Sequence, residues 1–456
     1  MANPSLADYL AGLKSKAPQQ IMEINSEVPR DYVITALALE LERQKQYPVI
    51  KASIAGYELP LVTNVFSDLR RIADILACPE AEISRRWAEI EKTPIKPVKV
   101  ATGPVQETVY RNEELDVNRL PIMQHFATDA GRYITAGIVV AKDPDTGVRN
   151  LSYHRMQLKG PRKFGISLHS RQHLYSYFER AERKGRDLEI AVIVGAHPAV
   201  LLAASAKPGI EVDEYDIAGS ILGEPLELVP GLTVDVEYPA SAEIVLEGRI
   251  LAGVREAEGP FGEFSGYSTS RSTENVFEVT AMCCRRNPLY LSIVPGSAAD
   301  HLYLARVARE AAILQRLKEK IPYIHAISYP KSGVNFHCYL SLSQAPEGVA
   351  RHALTLLFGL DHYVKLAVIV DDDIDVNDEE AVWWAVATRV RGDRDIIIIP
   401  RLFTIPLDPS SEGGTVAKVG IDATMTAAFK KEMVICKERE QDLSLAKEII
   451  DKNLKS

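Results

Sequence analysis

The middle of the chain, from about residue 109 to residue 300, is dominated by short runs of β-forming residues. These runs are ITAGIVVAK, LEIAVIVGA, LTVDVEY, AEIVLEGRILAGV, NVFEVTAMCC and LYLSIV, with glycine, proline, aspartate and asparagine between them. One helical pattern, FERAERKGR, interrupts the series. Short strands separated by turn residues are typical of a mostly antiparallel sheet or barrel. The sequence therefore predicts a central β domain.

Helical patterns flank this domain on both sides. Before it, SLADYLAGLK, DYVITALALELERQ, FSDLRRIADIL and PEAEISRRWAEIEK carry apolar residues at three-and-four spacing and predict helices with strands between them. The stretch TPIKPVKVATGP (93–104) contains three prolines and predicts a linker. After it come LYLARVAREAAILQRLKEK, VKLAVIVDDDID, DEEAVWWAVATRV, DIIIIP and KEREQDLSLAKEIIDKN. They alternate helix with buried strand and predict a small α/β domain.

Composition limits the classes of partner and compartment. The 456 residues are 46% hydrophobic and 25% charged, an ordinary globular balance with material for two or three domains. A formal charge of −9 argues against binding to nucleic acid or anionic membrane, because no segment is basic enough to neutralise phosphates. Five cysteines without CxxC spacing suggest neither disulfides nor structural zinc. With no signal-peptide pattern and no membrane-spanning window, we expect a soluble cytoplasmic protein.

Polar residues cluster beside glycines in NLSYHRMQLKG, which begins at Asn150, and in SLHSRQH, which ends at His173. Because alternate residues of a strand share a face, Asn150, Ser152 and His154 would point the same way unless a turn or bulge intervenes. His169 and His173 are four residues apart, which is a helical spacing able to ligate a metal. The alternatives are a solvated hairpin end and two surface histidines.

An acid-rich stretch, DEYDIAGSILGEPLELV (213–229), follows further along the chain. One of its carboxylates could complete a site with Asn150 and His173. Two oxygen ligands and one imidazole suit Mg²⁺ or Mn²⁺ better than zinc. The alternative is a polar loop that leads into a strand and whose carboxylates are solvated.

The stretch EGPFGEFSGY places Glu258 and Glu263 on one tight turn among aromatic residues. Desolvation there would favour the protonated form of whichever glutamate lacks a cationic partner. If Arg155 reaches the turn, it pairs with one glutamate and leaves the other as a proton donor. The alternative is a Gly-Pro turn whose glutamates face water.

Several common catalytic signatures are missing from the sequence. It contains no P-loop, no GxGxxG after a strand, no GxSxG elbow and no HExxH motif. Phosphoryl transfer, a Rossmann dinucleotide site and serine hydrolysis are therefore disfavoured. The stretch VDDDIDVND lacks the glycine and glutamate of a calcium-binding EF-hand loop.

Taken together, these stretches resemble the UbiD family of reversible decarboxylases that use prenylated FMN. The resemblance covers nearly the whole chain and follows the family's order: LPIMQHFATDAGRYITAG, NLSYHRMQLKG, HPAVLLAAS, DEYDIAGSILGEPLELV, EYPASAEIVLEG, EGPFGEFSGYS, VIVDDDIDVND, WAVATRV and KVGIDAT. It implies an α/β (α+β) fold with an N-terminal α/β region (1–105) and a central flavin-reductase-like split β-barrel for prenylated FMN (106–310). A C-terminal α/β domain (311–456) would serve dimerisation.

The resemblance also implies the residues that bind the cofactor and a divalent ion. The cofactor-binding residues would be Asn150, Ser152, Tyr153, His154, Arg155, Ser167, Leu168, His169, Gln172, His173, Glu227 and Lys365. Mn²⁺ or Mg²⁺ would bind to Asn150, His173 and Glu227, with K⁺ nearby. Glu227 is favoured over Glu224 because the family's glutamate follows a Gly-x-Pro-x segment.

Three residues carry the family's chemistry over the flavin. By resemblance, Arg155 holds the substrate carboxylate, Glu258 fixes the arginine, and Glu263 supplies the proton that replaces CO₂. Loss of CO₂ from an aromatic or α,β-unsaturated acid leaves a carbanion without internal stabilisation, so a cofactor must act as electron sink. The expected reaction is reversible, non-oxidative decarboxylation.

By resemblance, the substrate pocket is expected near IVPGSAADH, where His301 and Arg306 would meet a polar substituent. Family members that act on phenolic or heteroaromatic acids have basic or polar groups there, so the resemblance favours a furan, pyrrole or hydroxybenzoate acid over a styrene-type acid. A second ring carboxylate would suit the two basic residues. Alternatively, His301 is simply a residue at a helix N-terminus.

The expected partners are an aromatic or heteroaromatic acid, CO₂, and a flavin prenyltransferase that makes the cofactor. We expect a homodimer or a higher homo-oligomer. Two other functions remain open: a flavin oxidoreductase on the same barrel, which would consume NAD(P)H with ordinary FMN, and a non-catalytic subunit of a multi-subunit decarboxylase.

Overall fold

The structure is a computed structural model that describes residues 3–168, 173–270, 272–426, 436 and 440–454. The helices within these ranges are α1 (Leu6–Lys16), α2 (Val33–Arg43), α3 (Leu69–Ile75), α4 (Ile83–Lys92), α5 (His173–Arg183), α6 (Pro198–Ala203), α7 (Glu214–Leu222), α8 (Ala299–Lys320), α9 (Val349–Leu360), α10 (Glu379–Arg389) and α11 (Glu440–Leu454). The first ten strands are β1 (Ile21–Val28), β2 (Val49–Ile54), β3 (Leu61–Thr63), β4 (Val98–Lys99), β5 (Thr108–Arg111), β6 (Tyr133–Ile134), β7 (Ile138–Lys142), β8 (Arg149–Tyr153), β9 (Met156–Gly160) and β10 (Lys163–Ile166). The remaining strands are β11 (Leu188–Val194), β12 (Glu227–Pro230), β13 (Glu237–Pro239), β14 (Ile244–Glu258), β15 (Ser272–Cys284), β16 (Tyr290–Leu291), β17 (Ile324–Ser328), β18 (His337–Leu342), β19 (Leu366–Asp371), β20 (Ile396–Phe403) and β21 (Thr415–Asp422).

The N-terminal region packs α1–α4 around a small sheet of order β1-β2-β3-β16. The four predicted helices are confirmed. Ser5 and Asp8 cap α1 reciprocally, since the Ser5 hydroxyl accepts from the Asp8 amide at 3.1 Å and the Asp8 carboxylate accepts from the Ser5 amide at 2.8 Å. The last strand of this sheet, β16, comes from the far end of the central domain, so the two regions share one sheet.

The predicted linker is wrong in part. Val98 and Lys99 form β4, which pairs in parallel with β12 in a three-stranded sheet of order β13-β12-β4. Backbone amides beyond Pro97 are free to donate, and those of Val98 and Val100 bond to the carbonyls of Leu226 and Leu228 at 2.9 and 2.8 Å. The prolines therefore limit the strand's length without preventing it.

The predicted central β domain is confirmed as a nine-stranded, curled antiparallel half-barrel. Its order is β6-β9-β10-β15-β14-β11-β7-β8, and β5 pairs with β15. The run LTVDVEY contributes only β13, because the amides of Leu232 and Thr233 bond to the buried Glu247 carboxylate and not to a neighbouring strand. The acid-rich stretch is not a polar loop: it forms α7, capped by the Asp213 side chain and ended by Gly223 at φ 76°.

The C-terminal domain is α/β, as predicted, with sheet order β17-β18-β19-β21-β20. Strands β18, β19 and β21 are parallel, and the outer strands β17 and β20 are antiparallel. The run DIIIIP is not a fully buried strand. It lies in β20 at the sheet edge, where Ile398 and Phe403 are each 65% exposed.

The carboxylate of Asp300, in the first turn of α8, joins three segments of the chain. It accepts hydrogen bonds from the amides of Asn64 at 3.0 Å, Phe66 at 2.8 Å and Val294 at 3.2 Å, and it is buried. Burial raises the pKa of Asp300, while the three amides oppose this shift. The residue ties the N-terminal region to the end of the central domain and to the start of α8.

We expect Asp300→Ala to lower the urea midpoint of unfolding, because it leaves three buried backbone amides without an acceptor. Leaving one such group unsatisfied costs about 1–3 kcal/mol. The exposed Asp372→Ala serves as the matched control and should change stability by no more than about 0.5 kcal/mol. Equal midpoints for the two variants, followed by tryptophan fluorescence, would contradict this role for Asp300.

Candidate active site

A row of polar side chains lies along β8 and just beyond it. The Ser152 hydroxyl donates to the Asn150 amide oxygen at 3.1 Å and contacts His154 Nε2 at 3.0 Å. His154 Nδ1 lies 2.8 Å from the carbonyl of Ser167, and burial lowers the His154 pKa to about 4. Asn150, Ser152 and His154 thus share one face, as strand parity predicts, and the imidazole is neutral at physiological pH.

Glu214, the first residue of α7, joins this row from the side. Its carboxylate accepts from the Asn150 amide nitrogen and from the backbone amide of Leu151, both at 2.8 Å. His173 Nδ1 lies 3.5 Å from the same Asn150 nitrogen. Burial raises the Glu214 pKa to about 8, although these hydrogen bonds oppose the shift. A buried carboxylate, an amide and an imidazole therefore converge at one point.

Glu227, the carboxylate that the sequence predicts as a metal ligand, begins β12. Its amide donates to Asn3, and its backbone pairs with Val98 of β4. Among the described residues, no hydrogen bond or ion pair joins its side chain to Asn150 or His173. Two ligands of one ion need not contact each other, so Glu227 stays the predicted metal ligand, and Glu214 is a second carboxylate beside Asn150. Sequence reasoning missed Glu214, because only the packing of α7 turns it toward β8.

The chemistry of this donor set fits a hard divalent ion. Glu214 and Asn150 each carry an oxygen, and burial lowers the His173 pKa, which favours the neutral imidazole that a metal requires. Across the described ranges, no three His, Cys, Asp or Glu side chains form a metal site by themselves. The third ligand would have to be the Asn150 amide, an ordinary donor for Mg²⁺ or Mn²⁺.

Arg155 lies between both glutamates of the EGPFGEFSGY turn. Its Nε and Nη2 donate to the two oxygens of Glu258 at 3.1 and 2.8 Å, and its Nη1 donates to Glu263. Burial would lower the Arg155 pKa, but attraction to Glu263 and Glu258 raises it above its ordinary value. The sequence suggested one ion pair and one free acid, whereas the structure shows one arginine shared by two carboxylates.

The turn that carries the glutamates is held by the carboxylate of Asp129. Its two oxygens accept from the amides of Gly262 and Phe126, both at 2.8 Å. A side chain at Gly262 would meet the Phe126 ring at 2.6 Å, so only glycine allows this close approach. Sequence reasoning missed Asp129, which belongs to LPIMQHFATDAGRYITAG and carries no distinctive pattern around it.

Aromatic rings limit the access of water to the arginine. The guanidinium lies over the Phe261 ring at 5.1 Å, and that ring packs on Tyr133 with centroids 4.5 Å apart. The side chain of Arg155 is 10% exposed and that of Glu258 is fully buried, while Glu263 retains 14% exposure. Glu263 is therefore the carboxylate on the open side of the cluster.

Other predicted residues lie in different places. The Tyr153 hydroxyl donates to the Leu201 carbonyl at 2.9 Å, on the face of β8 opposite Ser152. Leu168 is buried beside Ser167 at the end of β10. The Lys365 ammonium bonds to Asp408 at 2.7 Å and Ser410 at 2.8 Å. Two predicted residues, His169 and Gln172, lie outside the described residues.

The two predicted pocket residues differ sharply. His301 is half-buried near the turn, where its Nδ1 lies 3.1 Å from the Gly296 carbonyl. Arg306 points away from it, because its guanidinium bonds to Glu310 at 2.6 Å, Asn377 at 2.8 Å and Ser328 at 3.1 Å. The Arg306 guanidinium is thus engaged by three other residues, and its contact with a substrate stays a prediction.

Comparison with known proteins identifies the family of the chain. Three family models match the chain, described as the N-terminal, Rift-related and C-terminal domains of 3-octaprenyl-4-hydroxybenzoate carboxy-lyase. They cover residues 14–91, 96–298 and 302–423. The chain belongs to the UbiD family. Members of this family are carboxy-lyases, so the chain is assigned to that class of enzyme.

Individual relatives match almost the whole UbiD chain. Anhydromevalonate phosphate decarboxylase of Methanothermobacter thermautotrophicus (strain Delta H) is 36% identical, over 91% of this chain and 96% of its own. The UbiD-class enzyme HmfF of Pelotomaculum thermopropionicum, solved with FMN, is 40% identical with a TM-score of 0.92, covering 97% of this chain and all of its own. An evolved dimeric HmfF with prenylated FMN is 38% identical, with a TM-score of 0.88 and coverage of 98% and 100%.

Two further findings concern membranes and cysteines. Of the helices that the structure describes, none combines the length and the apolarity of a membrane span. All five cysteines are free.

Proposed function

We propose that this UbiD-family enzyme catalyses reversible, non-oxidative decarboxylation of an aromatic or heteroaromatic acid with prenylated FMN. The proposal depends on one observation: a buried arginine lies between two glutamates, and one of them, Glu263, remains partly exposed to solvent. Glu258 accepts from two of the three guanidinium nitrogens, Nε and Nη2, and Glu263 accepts only from Nη1. The Nη1 side of Arg155 can therefore exchange Glu263 for a substrate carboxylate without loss of the Glu258 contacts.

In this mechanism each group has a separate task. Arg155 orients the substrate carboxylate, and Glu258 keeps the guanidinium in place when CO₂ departs. Glu263, displaced from the arginine, holds the proton that is delivered to the carbon that carried the carboxylate. In the carboxylation direction Glu263 accepts that proton. The aromatic cover of Phe261 and Tyr133 excludes water from the ion pair.

The described residues around β8 fit a flavin. Ser152, Ser167 and the neutral His154 offer polar contacts beside Arg155, and His169, Gln172 and Lys365 remain proposed as further contacts by family resemblance. When bound, prenylated FMN supplies the electron sink for the developing carbanion. A separate flavin prenyltransferase would make it. Tyr153 could reach the cofactor only through its backbone, since its hydroxyl is engaged elsewhere.

The divalent ion would be held by Asn150, His173 and Glu227, as the family resemblance implies, with the buried Glu214 as a second candidate carboxylate, and we propose Mn²⁺ or Mg²⁺. An uncompensated buried carboxylate is costly, and a cation beside Glu214 would offset that cost. K⁺ is proposed nearby on the family resemblance alone.

For the ring of the substrate, the proposal depends on His301 and on the family. Furan, pyrrole and hydroxybenzoate acids fit a pocket that includes His301. The methanogen relative is named for a phosphate-bearing acid, so a second anionic group on the substrate is compatible with the family. Cytoplasmic localisation is part of the same proposal.

The alternatives are less well supported. A flavin oxidoreductase would not need the Glu258–Arg155–Glu263 set, and a non-catalytic subunit would be free to lose it. Both alternatives predict that decarboxylation is absent when the protein is loaded with prenylated FMN.

We also propose that the C-terminal domain forms a homodimer or higher oligomer through β20. Its side chains Ile396, Ile398 and Phe403 are exposed at 38%, 65% and 65%. They form an apolar sheet edge that can pair with the same edge of a second chain. Helix α11 likewise exposes Leu445 and Ile449.

Replacing the proton donor tests the reaction directly. After co-expression with a flavin prenyltransferase, Glu263→Gln should lose decarboxylation of a furan, pyrrole and hydroxybenzoate panel by roughly 10²–10⁴-fold, the usual contribution of a general acid. Flavin absorbance should be retained, because Glu263 does not contact the β8 row. CO₂ release and deuterium incorporation into the product measure the effect. Activity equal to wild type would show that the acid is misassigned.

The metal assignment separates two glutamates. Glu227→Gln should reduce bound Mn²⁺ after dialysis by at least about tenfold, as removal of a metal-site group does, and an equal loss with Glu214→Gln would show that the carboxylate beside Asn150 also holds the ion. Metal content by mass spectrometry is the measurement. Loss of Mn²⁺ with Glu214→Gln but not with Glu227→Gln would exclude Glu227.

Charge introduced at β20 tests the oligomer. Phe403→Asp should shift the molar mass measured by light scattering to that of a single chain, because an unpaired charge cannot be buried in an apolar interface. Leu232→Asp, at a residue 40% exposed in the central domain, is the control and should keep the wild-type mass. An unchanged mass for Phe403→Asp would exclude this edge.

A further inference from the structure

An apolar cluster lies directly beside the proposed proton donor, where the turn meets the C-terminal domain. Phe264, the neighbour of Glu263, packs on Phe336 and Tyr363 with ring centroids 5.6 and 6.0 Å apart. The pKa of Tyr363 is raised by burial, and the negative charge of Glu263 is near enough to contribute. Tyr363 therefore lies beside the turn that carries Glu263.

Behind Tyr363, the carboxylate of Asp361 has no acceptor position left. One oxygen accepts from Arg309 Nη2 at 2.6 Å and the Tyr363 amide at 3.0 Å. The other accepts from Arg309 Nε at 2.8 Å and the Tyr329 hydroxyl at 2.6 Å. Two donors on each oxygen satisfy a carboxylate, so Asp361 cannot take a further cation as a hydrogen-bonded partner.

Lys207 is such a further cation. Its ammonium lies 5.9 Å from the centre of the Tyr363 ring, and the residue is exposed to solvent. Within the part of the chain that the structure describes, it has no hydrogen bond or ion pair. Partial desolvation by its neighbours lowers its pKa to about 8, repulsion from Arg309 adds to this effect, and attraction to Asp361 opposes it. A lysine in this position gains stability when an anion arrives.

The loop that carries Lys207 is tied to the cofactor side of the site. It runs from α6 to α7, and Glu214 at its far end binds Asn150 and the Leu151 amide. Lys207 thus lies on a segment whose far end contacts the polar residues of β8.

The local charge balance is positive on this side. Lys418 is buried and donates only to the backbone carbonyls of Phe358 and Asp361, at 3.4 and 3.2 Å. Arg309, Lys418 and Lys207 are therefore three cations around the single carboxylate of Asp361. An excess of positive charge in a cleft attracts anionic ligands and raises their local concentration.

We propose that Lys207 binds a second anionic group of the substrate, a carboxylate or a phosphate, while Arg155 holds the carboxylate that is lost. The inference rests on the proposed function for the second of these contacts only. It makes the preferred substrate an acid with two anionic groups, separated by an apolar ring or chain that lies along the Phe264 and Tyr363 rings. Lys207 becomes a residue that selects the substrate and does not take part in the bond cleavage.

Three probes that share one ring test this selectivity: benzoate, terephthalate and 4-phosphonobenzoate. Their dissociation constants are measured by calorimetry with the full chain loaded with unmodified FMN, so that binding is separated from turnover. Wild type should bind both dianions more tightly than benzoate. Lys207→Met should weaken dianion binding by about tenfold to a hundredfold, the usual effect of removing a charged hydrogen bond, with little change for benzoate.

Two variants complete the design. Lys207→Arg should restore part of the preference for dianions, because it keeps the charge. Lys16→Met, at an exposed lysine of α1, should bind all probes like wild type. Comparison of terephthalate with 4-phosphonobenzoate tells which anion the position favours.

The outcomes are distinct. If wild type binds neither dianion more tightly than benzoate, or if Lys207→Met weakens all three probes equally, the proposal is overturned. If the FMN-loaded protein shows the Lys207-dependent preference but the prenylated-FMN form decarboxylates no acid, the inference stands and the proposed function fails.

Discussion

The structure around the active site depends on one buried ion cluster, in which a single guanidinium serves two carboxylates. Arg155 and Glu258 are almost fully removed from water, so neither could be tolerated there alone. The cluster of Arg155, Glu258 and Glu263 carries one negative charge more than positive when all three groups are ionised. A substrate carboxylate adds another anion, which favours a proton on one carboxyl group. Substrate binding would thereby help to prepare the acid that proton transfer needs.

The fold supplies each member of the cluster from a different element. Arg155 follows β8, Glu258 ends the long strand β14, and Glu263 lies in the turn that leads to β15. Pairing of Glu258 with Ser272 closes the hairpin below the turn, and Asp129 fixes its tip. The cluster therefore requires the complete antiparallel sheet. The sheet fixes the relative positions of residues that are more than a hundred positions apart in the sequence.

The sequence predicted much of this arrangement, and its errors share a physical origin. Alternation along β8 placed Asn150, Ser152 and His154 correctly, because strand parity is a local property. Motif spacing pointed to Glu227 and missed Glu214, because the contact of Glu214 with Asn150 depends on how α7 packs against β8. The partners of Arg306 could not be predicted for the same reason: the direction of its side chain from α8 is set by tertiary packing.

The same limit applies to groups that no motif marks. Lys207 lies in a loop without a recognisable sequence pattern. Its role can be inferred only from its surroundings, which are an aromatic ring, a carboxylate whose acceptor positions are all filled, and two other cations. A charged side chain without a partner is unremarkable on a convex surface, where water solvates it. Beside the Tyr363 ring Lys207 is partly desolvated, and a ligand anion can supply the interaction that the protein does not provide. Different parts of the fold thus determine the reaction and the substrate. The antiparallel sheet determines the class of reaction, and the contact with the C-terminal domain determines the choice of substrate.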